Sequence, residues 1–262
     1  MTQRNEDPAP ELPPQTTVLA GKTALVTGGA RRIGAAIVRV LHGAGANVVV
    51  HYRSSGEDAE RLAAELKALR PGSVRLTECD LLDVTRHAGL VAAAVQAFGA
   101  LDILVNNAST FYPTPVGDID ESGWDDLIGT NLKAPLFLAQ AAASALHARG
   151  GLIINLADIH GMRPLRRYVV YSLAKAGVIM LTRSLARELG PHVRVNAVAP
   201  GPVLWPEDGL EPALQARILE RTALKRPGSA LDVARACLYF AADAPYVTGQ
   251  ILAVDGGRSI GW

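Results

Sequence analysis

Seven short runs rich in β-branched residues recur along the chain: TALVTG (23–28), NVVVHY (47–52), VRLTECD (74–80), LDILVNNA (101–108), GLIINLAD (151–158), VRVNAVAP (193–200) and QILAVDGG (250–257). Most are apolar at consecutive positions rather than alternate ones, which suits strands buried on both faces. Between them lie Ala- and Leu-rich segments such as IGAAIVRVLHGAG and GEDAERLAAELKALR, whose apolar residues return at helical spacing. Strand and helix therefore alternate throughout. The pattern predicts an α/β fold: one doubly wound domain over residues 21–262, with a mostly or fully parallel sheet of seven strands.

Two stretches break the rhythm. The first twenty residues hold four prolines and mixed charge, with no apolar core of the kind a secretory signal needs, and are expected to form a disordered tail. Residues 201–229, GPVLWPEDGLEPALQARILERTALKRPGS, carry no strand signal and are rich in proline, glycine and charge. They follow a strand at the sheet edge where open α/β folds bind ligands, so they are expected to form a substrate flap.

Composition narrows the partners. Apolar residues make up 49% of the chain, enough for a substantial core, and 26 basic residues against 25 acidic leave a net charge of +1. No broad field draws the chain to nucleic acid or to a membrane, which leaves small molecules or copies of itself. Two cysteines, Cys79 and Cys237, sit in or beside apolar runs and read as buried thiols in a reducing compartment. No uncharged apolar run reaches the roughly 18 residues of a membrane span. A cytoplasmic location is expected, and no metal site is.

The chemistry starts at TALVTGGARRIGAAIVRVL, a strand, a glycine-containing turn and a helix. Gly28 lets the backbone approach a phosphate, and the helix that begins near Arg32 and Ile33 offers free amides and a partial positive charge. This is the entry of a Rossmann-type nucleotide site. The next strand ends His51-Tyr52-Arg53-Ser54, where an NAD site usually places an acid. Arginine and serine suit a 2′-phosphate instead, so NADPH is the expected cofactor. Asp80 and Leu81 are placed to meet the adenine, Asn107, Ala108 and Ser109 the nicotinamide ribose, and Pro200 and Gly201 close the sixth strand beside the same site.

Further on, Tyr171 and Lys175 stand one turn apart on a predicted helix, and Asp158 lies thirteen positions before the tyrosine. An ammonium beside a phenol lowers its pKa, which would fit Tyr171 for proton delivery. With the turn, NNAS and Tyr-x-x-x-Lys in sequential order, residues 21–257 resemble the short-chain dehydrogenase/reductase family.

Within that family the chain is most similar to the pteridine reductases. The shared departures are Arg32 in place of glycine, the HYRSS strand end, the continuation NNASTFYPTP, and Asp158 where most members carry serine. The resemblance implies NADPH, reduction of pterins or folates, a homotetramer, a supporting role for Asn131, and a grip of Lys175 on the nicotinamide ribose.

A serine at 158 would donate to a carbonyl oxygen, whereas an ionised carboxylate would repel it, so a simple ketone is a poor substrate. A pterin ring needs hydride at carbon and a proton at nitrogen. Asp158 can assist by orienting Tyr171 or by sharing a proton, or it can merely cap a loop. Phe111 is either core or a stacking surface for a flat ring. Arg32, Ser109 and Trp205 complete the expected substrate pocket. Two alternatives stay open: a carbonyl reductase such as one acting on 3-oxoacyl thioesters, and a catalytically silent NADPH sensor or scaffold.

Overall fold

The computed structural model describes residues 16–205 and 209–260. Seven strands form one sheet: β1 (Thr23–Val26), β2 (Asn47–Tyr52), β3 (Val74–Glu78), β4 (Ile103–Asn106), β5 (Leu152–Leu156), β6 (Arg194–Pro200) and β7 (Ile251–Val254), in the order β3-β2-β1-β4-β5-β6-β7. Every neighbouring pair is parallel. The expected doubly wound Rossmann-type architecture is observed, with all seven expected strands.

The helices α1 (Arg32–Gly43), α2 (Gly56–Leu69), α3 (His87–Phe98), α4 (Glu121–Ile128), α5 (Ala134–His147), α6 (Val169–Leu189), α7 (Pro212–Glu220) and α8 (Ala230–Ala242) follow in turn. Alternation along each strand divides the apolar residues between two cores. Ala24 and Val26 of β1 pack with Ile37, Leu41, Leu66 and Phe240 on one face. Leu25 packs with Leu90, Leu138, Leu146 and Ile153 on the other.

Strand order reverses direction at β1, which lies between β2 and β4, so the carboxyl ends of these strands diverge into a crevice. α6 is laid across the second half of the sheet by a buried polar chain. Asn106 Nδ2 donates to Asn155 Oδ1 (2.8 Å), Asn155 Nδ2 donates to Thr182 Oγ1 (2.9 Å), and Thr182 Oγ1 donates to the Val178 carbonyl (2.8 Å). These links join β4, β5 and α6. By length and composition α6 is apolar enough to cross a bilayer, yet half of that window is buried within the protein.

One expectation changes. Residues 16–20, expected within the disordered tail, are held in the fold: Thr16 N donates to the Gly43 carbonyl (2.8 Å), and Leu19 is buried in the first core cluster. A single leucine and two backbone hydrogen bonds suffice to anchor this segment, and neither shows in its proline-rich composition. Residues 1–15 lie outside the described part. Within the expected flap the chain forms α7, none of whose side chains is buried. It ends at Ser229, which caps α8 through a reciprocal pair of hydrogen bonds with Asp232.

Asn155→Ala would strand the buried Asn106 amide and remove a donor from Thr182. A loss of about 2–4 kcal/mol in urea unfolding is expected, with an unchanged denaturant slope.

Candidate active site

The glycine turn is built by close approach. A Cβ on Gly34 would stand 2.0 Å from the Gly28 carbonyl oxygen, so only glycine lets α1 start directly beneath the turn. The first turn of α1 has no side-chain cap and no acidic residue, which leaves its amide end suited to an anion. Asn107 Nδ2 ties the turn to the end of β4 by donating to the carbonyls of Thr27 (2.8 Å) and Gly28 (3.0 Å).

Beside this turn opens a cavity of about 340 Å³. Of the residues expected from sequence to hold a cofactor, it brings together Gly28, Arg32, Ile33, His51, Tyr52, Arg53, Ser54, Asp80, Leu81, Asn107, Ala108 and Ser109. Pro200 ends β6, and Gly201 N donates to the Val254 carbonyl (3.0 Å); neither lines this cavity. Arg31, Ser55 and Thr130 line it without having been singled out. Arg31 is held 3.6 Å from Asp58 of α2, a partner that no local motif announces.

His51 lines the cavity, and its ring is held from beneath. Its side chain is buried, Nδ1 accepts from Gly28 N (3.1 Å), and Nε2 faces the Cys79 carbonyl (2.9 Å). These partners require the Nε2–H tautomer, so the ring is a peg beneath the turn with both nitrogens committed to backbone. Arg32 lines the cavity too, and its guanidinium donates to the Trp205 carbonyl (2.8 Å), joining the turn to the segment after β6. Its backbone takes a positive φ of 51°, unusual for a residue with a side chain.

Asp158, Tyr171 and Lys175 come together where β5 and α6 meet. Asp158 caps the short 3₁₀ turn Ile159–Gly161, with Oδ1 accepting from His160 N (2.8 Å), while Oδ2 accepts from the Tyr171 hydroxyl (2.8 Å). Loop capping and orientation of the phenol are both present. Lys175 Nζ is buried, donates to the Leu156 carbonyl (2.8 Å), and sits 5.5 Å from the centre of the Tyr171 ring. Gly161 allows the turn to rest on α6, since a Cβ there would come within 2.7 Å of the Lys175 backbone.

This geometry overturns the expected direction of the Tyr171 pKa. Burial, then the charge of Asp158 and the hydrogen bond to it, raise the phenol well above its ordinary 10, with the Ser109 hydroxyl opposing. Burial lowers Lys175 to about 8, against the attraction of Asp158. The carboxylate, bonded directly to the phenol, outweighs an ammonium directed at a carbonyl. The protein thus presents a protonated phenol, a hydrogen-bond donor with an acceptor behind it.

Asn131 lies in a π-helical turn, Gly129–Lys133, between α4 and α5. Its Oδ1 accepts from Ser109 Oγ (2.6 Å) and its Nδ2 donates to the carbonyls of Thr110 (3.0 Å) and Leu127 (3.0 Å). It thereby ties the loop after β4 to the turn between α4 and α5.

Phe111, on that loop, is 47% exposed, which removes the core alternative. Its ring stacks on Tyr168 (centroids 4.5 Å, planes 15° apart) and meets Tyr171 edge-on (4.8 Å, 77°). Tyr168 escaped the sequence analysis. Its spacing from Tyr171 was a usable signal, because residues three apart share a helix face.

A family model described as enoyl-(acyl carrier protein) reductase matches residues 28–259. Pteridine reductase 1 of Leishmania tarentolae is 36% identical, with 94% of this chain and 99% of that protein covered.

The chain is a member of the short-chain dehydrogenase/reductase family.

The 3-oxoacyl-[acyl-carrier-protein] reductase FabG of Staphylococcus aureus (strain Mu50 / ATCC 700699) is 39% identical over 90% of this chain and 97% of its own. A crystal structure described as that of a short-chain alcohol dehydrogenase from Sinorhizobium meliloti 1021 superposes with a TM-score of 0.88 at 34% identity, covering 93% and 98% of the two chains. The protein is thus an oxidoreductase of this family, whose reductases use nicotinamide cofactors. Its residues fit such a group. The uncapped α1 amides suit a pyrophosphate and the cavity between β2 and Asp80 suits an adenosine; Tyr171 and Lys175, also expected to hold the cofactor, do not line that cavity.

His51 enters the fold neutral, because burial lowers its pKa from 6.5 to about 4 against its hydrogen bond to Cys79. The unfolded chain then binds more protons between those values, so stability is intact above pH 6.5 and falls as pH approaches 4. The full effect is about 3 kcal/mol. His51→Asn, which keeps an acceptor and a donor, is expected to flatten this acid limb in urea titrations from pH 7 to 4.5.

Proposed function

We propose that this reductase uses NADPH to reduce the C=N bond of a dihydropterin or dihydrofolate, and also the fully oxidised ring, to the tetrahydro form. The observation that carries the proposal is the 2.8 Å hydrogen bond between Tyr171 and the carboxyl of Asp158, beside an exposed aromatic ring, Phe111. A carboxylate at this place repels a carbonyl oxygen but tolerates a ring N–H. The similarity to a pteridine reductase over nearly the whole chain supports the same reading.

Bound NADPH supplies hydride to the ring carbon. Tyr171 donates its proton to the adjacent ring nitrogen, so that one hydride and one proton saturate the bond. Two neighbouring anions at hydrogen-bond distance are unfavourable, so the Asp158–Tyr171 pair must be reprotonated as the phenol gives up its proton. Lys175 supplies the nearby cation. Phe111 holds the flat ring, with Arg32, Ser109 and Trp205 at the pocket edge. For the cofactor, Arg53 and Ser54 at the end of β2, with Arg31 beside them, favour the 2′-phosphate of NADPH over NADH.

We place the enzyme in the cytoplasm as a homotetramer, which agrees with the exposed apolar residues Leu136 and Phe137 on α5 and Leu173 and Met180 on α6. Reduction of a 3-oxoacyl thioester is the second reading, favoured by the 39% identity to a reductase of that substrate.

NADPH consumption measured side by side with dihydrobiopterin, dihydrofolate and a 3-oxoacyl thioester distinguishes the two. Turnover of the pterins alone is expected, and turnover of the thioester alone would transfer the assignment to the second reading. Tyr171→Phe should remove activity while NADPH still binds, and Asp158→Ser should lower pterin turnover by about 10²- to 10⁴-fold.

Arg53→Ala is expected to narrow the preference for NADPH over NADH by about 10- to 100-fold, read by calorimetric titration of each cofactor. An unchanged preference would remove Arg53 from 2′-phosphate recognition.

A further inference from the structure

The loop that joins Asp158 to Tyr171, IHGMRPLRRYVV, carries Arg163, Arg166 and Arg167, and no acidic residue occurs from position 159 to 187. All three arginines are exposed. On a chain of net charge +1 they are a local concentration rather than part of a basic surface. Among the described residues, Arg166 and Arg167 make no ion pair.

The backbone that displays them is fixed. Thr114 N donates to the Arg167 carbonyl (2.6 Å), Thr114 and Tyr168 form a parallel bridge, and Leu165 N donates to Ser172 Oγ (3.2 Å). Arg167 is held at φ 71°, a conformation that non-glycine residues adopt only when surrounding contacts impose it. The next residue, Tyr168, stacks on Phe111, so the arginines flank the aromatic pair.

An independent feature adds positive potential at the same place. α6, 21 residues long, begins there with no side-chain cap and no acidic residue in its first turn. Acids on the facing loop do not neutralise the group: Asp118 and Asp120 make no ion pair with Arg166 or Arg167, and Asp120 is engaged by Gly123 N (2.7 Å).

We infer that Arg166 and Arg167, with Arg163 beside them, form a cationic rim that receives a carboxylate-bearing tail on the substrate, so that a folate carrying several γ-linked glutamates is preferred over one carrying a single glutamate. The inference rests on the proposed pterin and folate chemistry and extends it. Guanidinium forks match carboxylates in geometry, and a row of them outside a flat aromatic slot suits a flat head joined to an anionic chain.

The test compares kcat/KM for dihydrofolate with one and with five γ-linked glutamates, with tail-free dihydrobiopterin as reference, in the native enzyme and in R166Q/R167N. Asparagine at 167 tolerates the positive φ, and the Arg166→Gln single variant repeats the measurement should the double variant misfold. The native enzyme should prefer the longer tail by about 3- to 10-fold at low salt. The preference should fall toward unity in the variant and at high ionic strength.

Equal kcat/KM for the two tails, or a preference that survives in the variant, would overturn the rim while leaving pterin reduction in place. If neither pterin nor folate is turned over, the proposed function itself fails and the rim with it. A variant-sensitive preference for a 3-oxoacyl group on an acidic carrier protein over the same group on a small thiol would instead assign the arginines to a protein partner.

Discussion

The docking of α6 on the end of β5 is the constraint on which the rest of the site depends. Asn155 and Thr182 set the depth of the helix through their buried hydrogen bond, and Lys175 Nζ closes on the Leu156 carbonyl one turn from Tyr171. With the helix so placed, the phenol has one nearby carboxyl, that of the residue leaving β5. A rotation or slide of α6 would separate Tyr171 from Asp158 and strand several buried polar groups together, which ties the geometry of this pair to the stability of the fold.

The same economy appears at the nucleotide end. His51 lies under the glycine turn with both ring nitrogens engaged by backbone, while Arg53, two residues later, faces the cavity. Strand alternation explains the division less well than depth does, since Tyr52 and Ser54 line the cavity too. The turn is also joined to the segment after β6, through the hydrogen bond from Arg32 to the Trp205 carbonyl.

Much of the fold was legible from the chain because its evidence is local and repetitive. Both-face apolar runs such as TALV and LIIN require a covered parallel sheet whatever their neighbours. Tyr171 and Lys175 share a helix face by spacing alone. Other features were silent. The five residues before Gly21 look like tail until Leu19 is found in the core, and PALQARILE of α7 has no buried face whose periodicity would announce a helix. Arg31 and Tyr168 gain their meaning from Asp58 and Phe111, partners far away in sequence.

The amino-acid sequence by itself determined the alternation of strand and helix, the class of sheet, and which residue types stand at the carboxyl ends of the strands, because these follow from the order of neighbours along the chain. Tertiary structure alone decided the protonation of the site. Whether Lys175 or Asp158 governs the phenol depends on burial and on which group touches it, and packing placed the carboxyl on the hydroxyl while turning the ammonium toward a backbone carbonyl. Charge strength in a protein is a matter of distance and solvent, and neither is written in a linear order of residues.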